Sequence, residues 1–134
     1  MLRLYLWIMA GGALGTAGRY FVSGWVANRF GETFPWGTLL VNVPGCFVIG
    51  FYAALTEPGE GRLLAGPTAR QFFTAGVCGG YTTFSSFSLQ TLALVRDGEW
   101  LHAGGNVFGS VTACLLAVWA GFAAAMWLNH LKGA

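Results

Sequence analysis

Hydrophobic residues fall into four long blocks along the chain, parted by three shorter polar connections. The first block runs uncharged from Leu4 to Gly18, is interrupted by Arg19 and resumes to Ala27, which predicts a span over 2–27. The second covers 34–55, is entered through Pro35 and Trp36, and carries Asn42, Pro44 and Gly45 near its middle. The third covers 71–95 without a charged residue, and the fourth covers 100–131, equally free of formal charge. Each block reaches the ~20 residues that a helix needs to cross a bilayer. Pro58, Gly59, Gly61, Gly66 and Pro67 mark an exposed loop between the second and third blocks, and Arg96-Asp97-Gly98-Glu99 a tight turn before the fourth. Trp36, Trp100 and Trp127 lie near block ends, where indoles favour the headgroup layer.

The third block departs from a plain apolar helix at Gly79-Gly80-Tyr81-Thr82-Thr83. Each glycine weakens helix propagation by roughly 1 kcal/mol relative to alanine. Irregular backbone survives in hydrocarbon only where protein or a polar cavity satisfies the freed N–H and C=O groups, and a broken helix can present those groups to an ion. The predicted fold is therefore an all-α integral membrane protein, one domain over 1–134, with four transmembrane helices and the third broken at Gly79–Thr83. Gly11, Gly15 and Gly18 make a small-residue face on the first helix, suited to close helix contact. Arg3 before an apolar stretch has the outline of a signal peptide, but no small-residue cleavage site follows.

Composition sharpens this picture. The chain is 55% hydrophobic and 9% charged, against the ~25% charged of soluble domains. A net charge of +2 with no basic cluster argues against nucleic acid. Cys46, Cys78 and Cys114 stand singly in apolar runs and read as small buried hydrophobes, neither a disulfide framework nor a zinc site. The basic residues split weakly between the two sides, Arg3, Arg62, Arg70 and Lys132 against Arg29 and Arg96. That near-balance suits a chain inserted in both orientations and paired as an antiparallel homodimer. Four short helices barely enclose a polar path, which also argues for a second copy.

Arg19 is the one formal charge inside a span, at a cost of ~2.5–3.5 kcal/mol at a helix centre, so a partner or a wet vestibule is expected. No Asp or Glu lies in any predicted span, which removes the usual proton carrier. His102 and His130 fall towards opposite ends of the fourth block. Without a nucleophile triad, metal-ligand spacing or phosphate-binding glycine loop, no enzyme is expected. The interior chemistry consists of neutral donors and ring edges. Phe84 and Phe87 share one helical face at i, i+3, and a phenyl ring presents a positive edge. Ser85, Ser86 and Ser88 lie beside them, with Asn42 on the second span and Ser110 on the fourth. Such a path favours a small anion over a cation.

Gly-Val-Cys-Gly-Gly-Tyr-Thr-Thr-Phe-Ser-Ser-Phe-Ser, residues 76–88, resembles the signature of the CrcB/Fluc fluoride channels. Gly37-Thr38-Leu39-Leu40-Val41-Asn42 and Gly15-Thr16-Ala17-Gly18-Arg19-Tyr20 match as well, so the resemblance runs through nearly the whole chain. It implies an antiparallel dual-topology homodimer in a prokaryotic cytoplasmic membrane, with two fluoride pores along the subunit interface. It implies ring edges of Phe84 and Phe87 towards fluoride, donation from Asn42, Ser85, Ser86 and Ser110, and Arg19 at a vestibule. It also implies a structural, non-transported sodium ion held by main-chain carbonyls of Gly79 and Thr82 from both copies. No nucleotide or soluble protein partner follows from it. The chain departs from the family pattern at Gln90, where Glu is frequent, at Asn106, where Tyr is common, and at Cys114, and Pro44 is expected to kink the second span near Asn42. A small dual-topology cation or drug exporter is the competing reading, disfavoured because it needs an intramembrane carboxylate.

Overall fold

The computed structural model describes residues 1–133, with side chains described as far as Leu131, so the expected role of Lys132 in orienting the chain lies outside the described side chains. All regular structure among the described residues is helical. Helix α1 spans Leu2–Phe30 and α2 spans Trp36–Leu55. The third block is composite: α3 (Pro67–Gln71), a π-helical stretch Phe72–Cys78, α4 (Gly79–Tyr81) and, after Thr82 and Thr83, α5 (Phe84–Arg96). Helix α6 spans Trp100–Gly133.

The first helix runs three residues past the predicted end at Ala27 and stops at Gly31, whose φ of 78° ends the helical path. Helix α2 starts at Trp36 because Pro35, at φ −76° and ψ 57°, stands outside helical geometry. It continues through Pro44 with no interruption. Two helices, Trp36–Leu55 and Trp100–Leu131, are long and apolar enough to cross a membrane. The third block reaches that length only across its interruptions, and α1 is diluted by Arg3, Arg19 and Arg29.

The packing joins alternate elements. Trp7, Gly11 and Gly15 of α1 meet Phe72, Gly76 and Tyr81 of the third block in the same order along both, so these two segments run parallel. Gly50 of α2 packs on Val118 of α6 and Gly121 of α6 on Phe47 and Phe51, and contacts of Phe34 with His102 at one end and of Ala54 with Asn129 at the other show that α2 and α6 also run parallel. Consecutive helices run antiparallel, as Gly37 of α2 packing on Ser23 of α1 requires. A Cβ at Gly15 would meet the Val77 carbonyl oxygen, and one at Gly80 would lie 2.5 Å from the Gly12 oxygen, so glycine is the only residue that permits this backbone-to-backbone approach.

The burial pattern is that of a molecule with an apolar outside. Leu14, Phe21, Trp25, Phe108, Leu115 and Trp119 are exposed, whereas Thr38, Asn106 and Ser110 are buried. An exterior of large apolar side chains over a polar interior is the arrangement that lipid or a second copy covers.

Candidate functional site

The site grows from two residues. Thr82 (φ −81°, ψ 156°) and Thr83 (φ −152°, ψ 112°) are extended, between the short α4 and the start of α5. Gly79 and Gly80, expected to open the break, are themselves helical. The helix ends instead at the two β-branched threonines, because Asn42 offers Thr83 a better partner than the helix does. Its Oδ1 accepts the Thr83 N–H at 2.8 Å and its Nδ2 donates to the Thr83 carbonyl at 3.0 Å. This pair copies a rung of a β-ladder with a side chain. The Thr83 hydroxyl accepts the Ser86 N–H at 3.2 Å and so caps α5.

Breaking the ladder frees carbonyls on the other side. The Gly80 oxygen receives Arg19 Nε at 3.1 Å and the Thr16 hydroxyl at 3.4 Å. The partner that the charge of Arg19 demanded is thus a backbone dipole, and among the described residues the one close contact between a basic and an acidic side chain is Glu99 with His102, at 3.1 Å. One of the guanidinium's five N–H donors is on Gly80, and Arg19 also borders a cavity of about 530 Å³. Arg19, Ser23, Thr38, Thr83, Ser86 and Gln90 line it, with Glu32 and Asp97 also in its wall. The guanidinium carbon also lies 5.3 Å from the Tyr20 ring centroid, within cation–π range.

Hydroxyl protons can be assigned by elimination. Thr83 donates its single hydroxyl proton to Ser86 Oγ at 3.1 Å, so in its 3.3 Å contact with Ser85 it must accept. Ser86 therefore keeps a free O–H at the cavity wall, while the proton of Ser85 is committed. Ser88 donates back to the Phe84 carbonyl at 2.9 Å. Phe84 and Phe87 stand side by side with ring centroids 5.1 Å apart and planes tilted by 44°. Phe87 is buried, whereas Phe84 is 73% exposed on the single protomer.

Between α5 and α6 lies a chain of hydrogen bonds that sequence reasoning missed. Thr91 donates to the Phe87 carbonyl at 2.8 Å and so can only accept the Asn106 amide N–H at 2.9 Å. That turns Asn106 Oδ1 towards Ser110, whose hydroxyl donates to it at 3.0 Å. Asn106 is 2% exposed, and the proton of Ser110 is spent. A Thr and an Asn at facing positions of two predicted helices were the only available signal. Gln90 Oε1 is buried without a partner beside the same cavity.

Of the residues singled out by sequence, Arg19, Ser86 and Gln90 line one cavity. Asn42 abuts it through Thr83, and Phe87 holds the end of the α5–α6 chain. Ser85 and Phe84 lie exposed on α5, and Ser110 sits inside the α5–α6 contact. Gly79 is exposed on the surface of the protomer.

The family described as "CrcB-like protein, Camphor Resistance (CrcB)" matches residues 6–122. A protein of Opitutus terrae named "Fluoride-specific ion channel FluC" is 65% identical over 130 residues, covering 97% of this chain and 98% of the relative. Proteins of the same name from Methylocella silvestris and Rhodospirillum rubrum are 58% and 54% identical, over 97% and 94% of this chain and 98% and 97% of their own.

Proposed function

This chain belongs to the CrcB family, and from that premise we propose that it is a passive fluoride channel of a prokaryotic cytoplasmic membrane, lowering fluoride inside the cell. The observation that carries the reading is an interior of donors without acids. Arg19 and the free Ser86 hydroxyl line one cavity, with Asn42 behind Thr83 at its wall, while all five carboxylates fall in the connections between helices. A small anion meets positive charge and hydrogen-bond donors there, and the two acids of the cavity wall, Glu32 and Asp97, come from the connections after α1 and α5 rather than from a helix. An exporter that exchanges protons for cations would need an acid at that depth.

The fluoride path runs past Arg19, Asn42 and Ser86 to the edges of Phe84 and Phe87, with Ser85 and Ser110 supporting it through Thr83 and Asn106, their own protons being engaged. Exposure of Phe84 supports a path completed by a second, antiparallel copy of the chain. The sodium ion that the family resemblance implies fits the same break. Thr83 N–H is taken by Asn42 and Ser86 N–H by Thr83, so the carbonyls of Gly79 and Thr82 lose their helical donors. Two such oxygens from each copy form a set that suits a hard cation. The ion would tie the copies together, and conduction would fall to the side chains.

Fluoride efflux from liposomes holding the purified protein, with chloride in parallel, tests the reading. Fast loss of fluoride without chloride is expected, together with a fall of about 100-fold, ~2.7 kcal/mol, in Phe87→Ala protein that still elutes as a dimer. Absence of fluoride flux from correctly assembled protein overturns it.

A further inference from the structure

The two partly accessible cysteines, Cys46 and Cys114, were read from sequence as unrelated core residues, but the fold brings them together. Helices α2 and α6 run parallel and approach closely, so that a Cβ at Gly50 would strike the Val118 carbonyl oxygen. Cys46 precedes Gly50 by four residues and Cys114 precedes Val118 by four, one turn back on each helix and at the same register. That shared register sets the two thiols beside each other across the α2–α6 contact. Neither takes part in the hydrogen-bonded chain around Asn106, nor do they line the cavity beside Arg19.

We propose that Cys46 and Cys114 form a two-thiol site for one soft divalent cation of the Hg(II) class. Soft thiolates select soft metals. Two bonds of ~2.3 Å laid end to end span a gap close to that of two touching thiols, so little movement is required. Charge selects the divalent ion. Binding breaks two S–H bonds, forms two S–metal bonds and releases two protons, leaving a neutral bis-thiolate that low-dielectric surroundings tolerate. A soft monovalent ion would leave one net negative charge. Zinc needs about four ligands, and no group of three or more His, Cys, Asp or Glu able to hold a metal occurs among the described residues. Asn42 lies one turn before Cys46 and Ser110 one turn before Cys114, so a bound ion would clamp α2 to α6 beside both. The site itself does not depend on the fluoride reading.

Mercuric ion is titrated into the purified full-length chain in chloride-free, thiol-free detergent, with Cys78→Ala removing the third cysteine. Thiolate-to-metal absorption, proton release and intact mass are followed. One metal and two released protons per protomer are expected, with Cys46 and Cys114 protected together from maleimide. Cys46→Ala or Cys114→Ala should weaken binding by about 100-fold through loss of the chelate. Binding of two ions per protomer, or single-cysteine variants within about threefold of the pair, would overturn the proposal. If Cys78→Ala alters the elution profile, peptide mapping of the unsubstituted chain decides at one bound equivalent: either Cys46 or Cys114 still alkylated rejects the site.

Discussion

The two parallel helix pairs of this molecule are built by one device and put to different uses. In α1 with the third block, and in α2 with α6, glycines set backbone against backbone: Gly80 on Gly12 in one, Gly50 on Val118 in the other. The α2–α6 pair stays helical throughout, and the backbone group that its side chains engage, the Ala54 carbonyl held by Asn129, lies at the C-terminal end of α2. The other pair ends at Thr82 and Thr83, and three polar features beside the cavity follow from that: the rung with Asn42, the cap on α5 and the Gly80 carbonyl held by Arg19. Close packing alone makes a scaffold. Chemistry begins where packing holds a helix open and side chains take over the backbone's hydrogen bonds.

Removing the rung should break that contrast most severely. Asn42→Ala leaves the Thr83 N–H and C=O unpaired and is expected to reduce fluoride flux by at least about 100-fold, ~2.7 kcal/mol, and to destabilise the protein by ~1–3 kcal/mol for buried groups left unsatisfied. Flux and detergent unfolding on one sample check both. Next come the paired glycines. Gly80→Ala and Gly50→Ala should each cost ~1–3 kcal/mol by overpacking, but only Gly80→Ala should lower flux per folded channel, because it displaces the carbonyl that Arg19 holds. Equal flux loss in the two would erase the distinction between scaffold and site. A smaller effect is expected of Arg19→Lys, which keeps the charge and loses the planar fork. Flux should fall by about 3–10-fold, ~0.6–1.4 kcal/mol, with a steeper fall in Arg19→Gln at low salt as anion attraction is lost. Ser110→Ala should do least. With its proton already committed to Asn106, flux should change by less than about twofold, ~0.4 kcal/mol, and a large loss would mean that the hydroxyl turns towards the ion.

Much of the site was legible because its chemistry needs particular residue types. A lone arginine in an uncharged block and two phenylalanines at i, i+3 stand out without a structure. The location of the interruption did not. Glycine propensity pointed to Gly79 and Gly80, yet both are helical, Gly80 packed against Gly12, and the chain leaves the helix only where Asn42, 41 residues away, can bind Thr83. Helix propensity of ~1 kcal/mol per glycine is easily outweighed by packing. Ser110 was expected as a donor from residue type alone, whereas the direction of its proton depends on Asn106 and Thr91, which no local pattern links to it.

By itself, the sequence determined an all-helical chain with an apolar exterior, an acid-free interior and kinship to the CrcB family, since all of these depend on which residues occur and at what spacing. Tertiary structure decided which carbonyls are freed, which hydroxyls still have a proton to give, and that Cys46 faces Cys114. Those outcomes depend on the register between helices far apart in the chain. That register is set by where glycines let backbones touch.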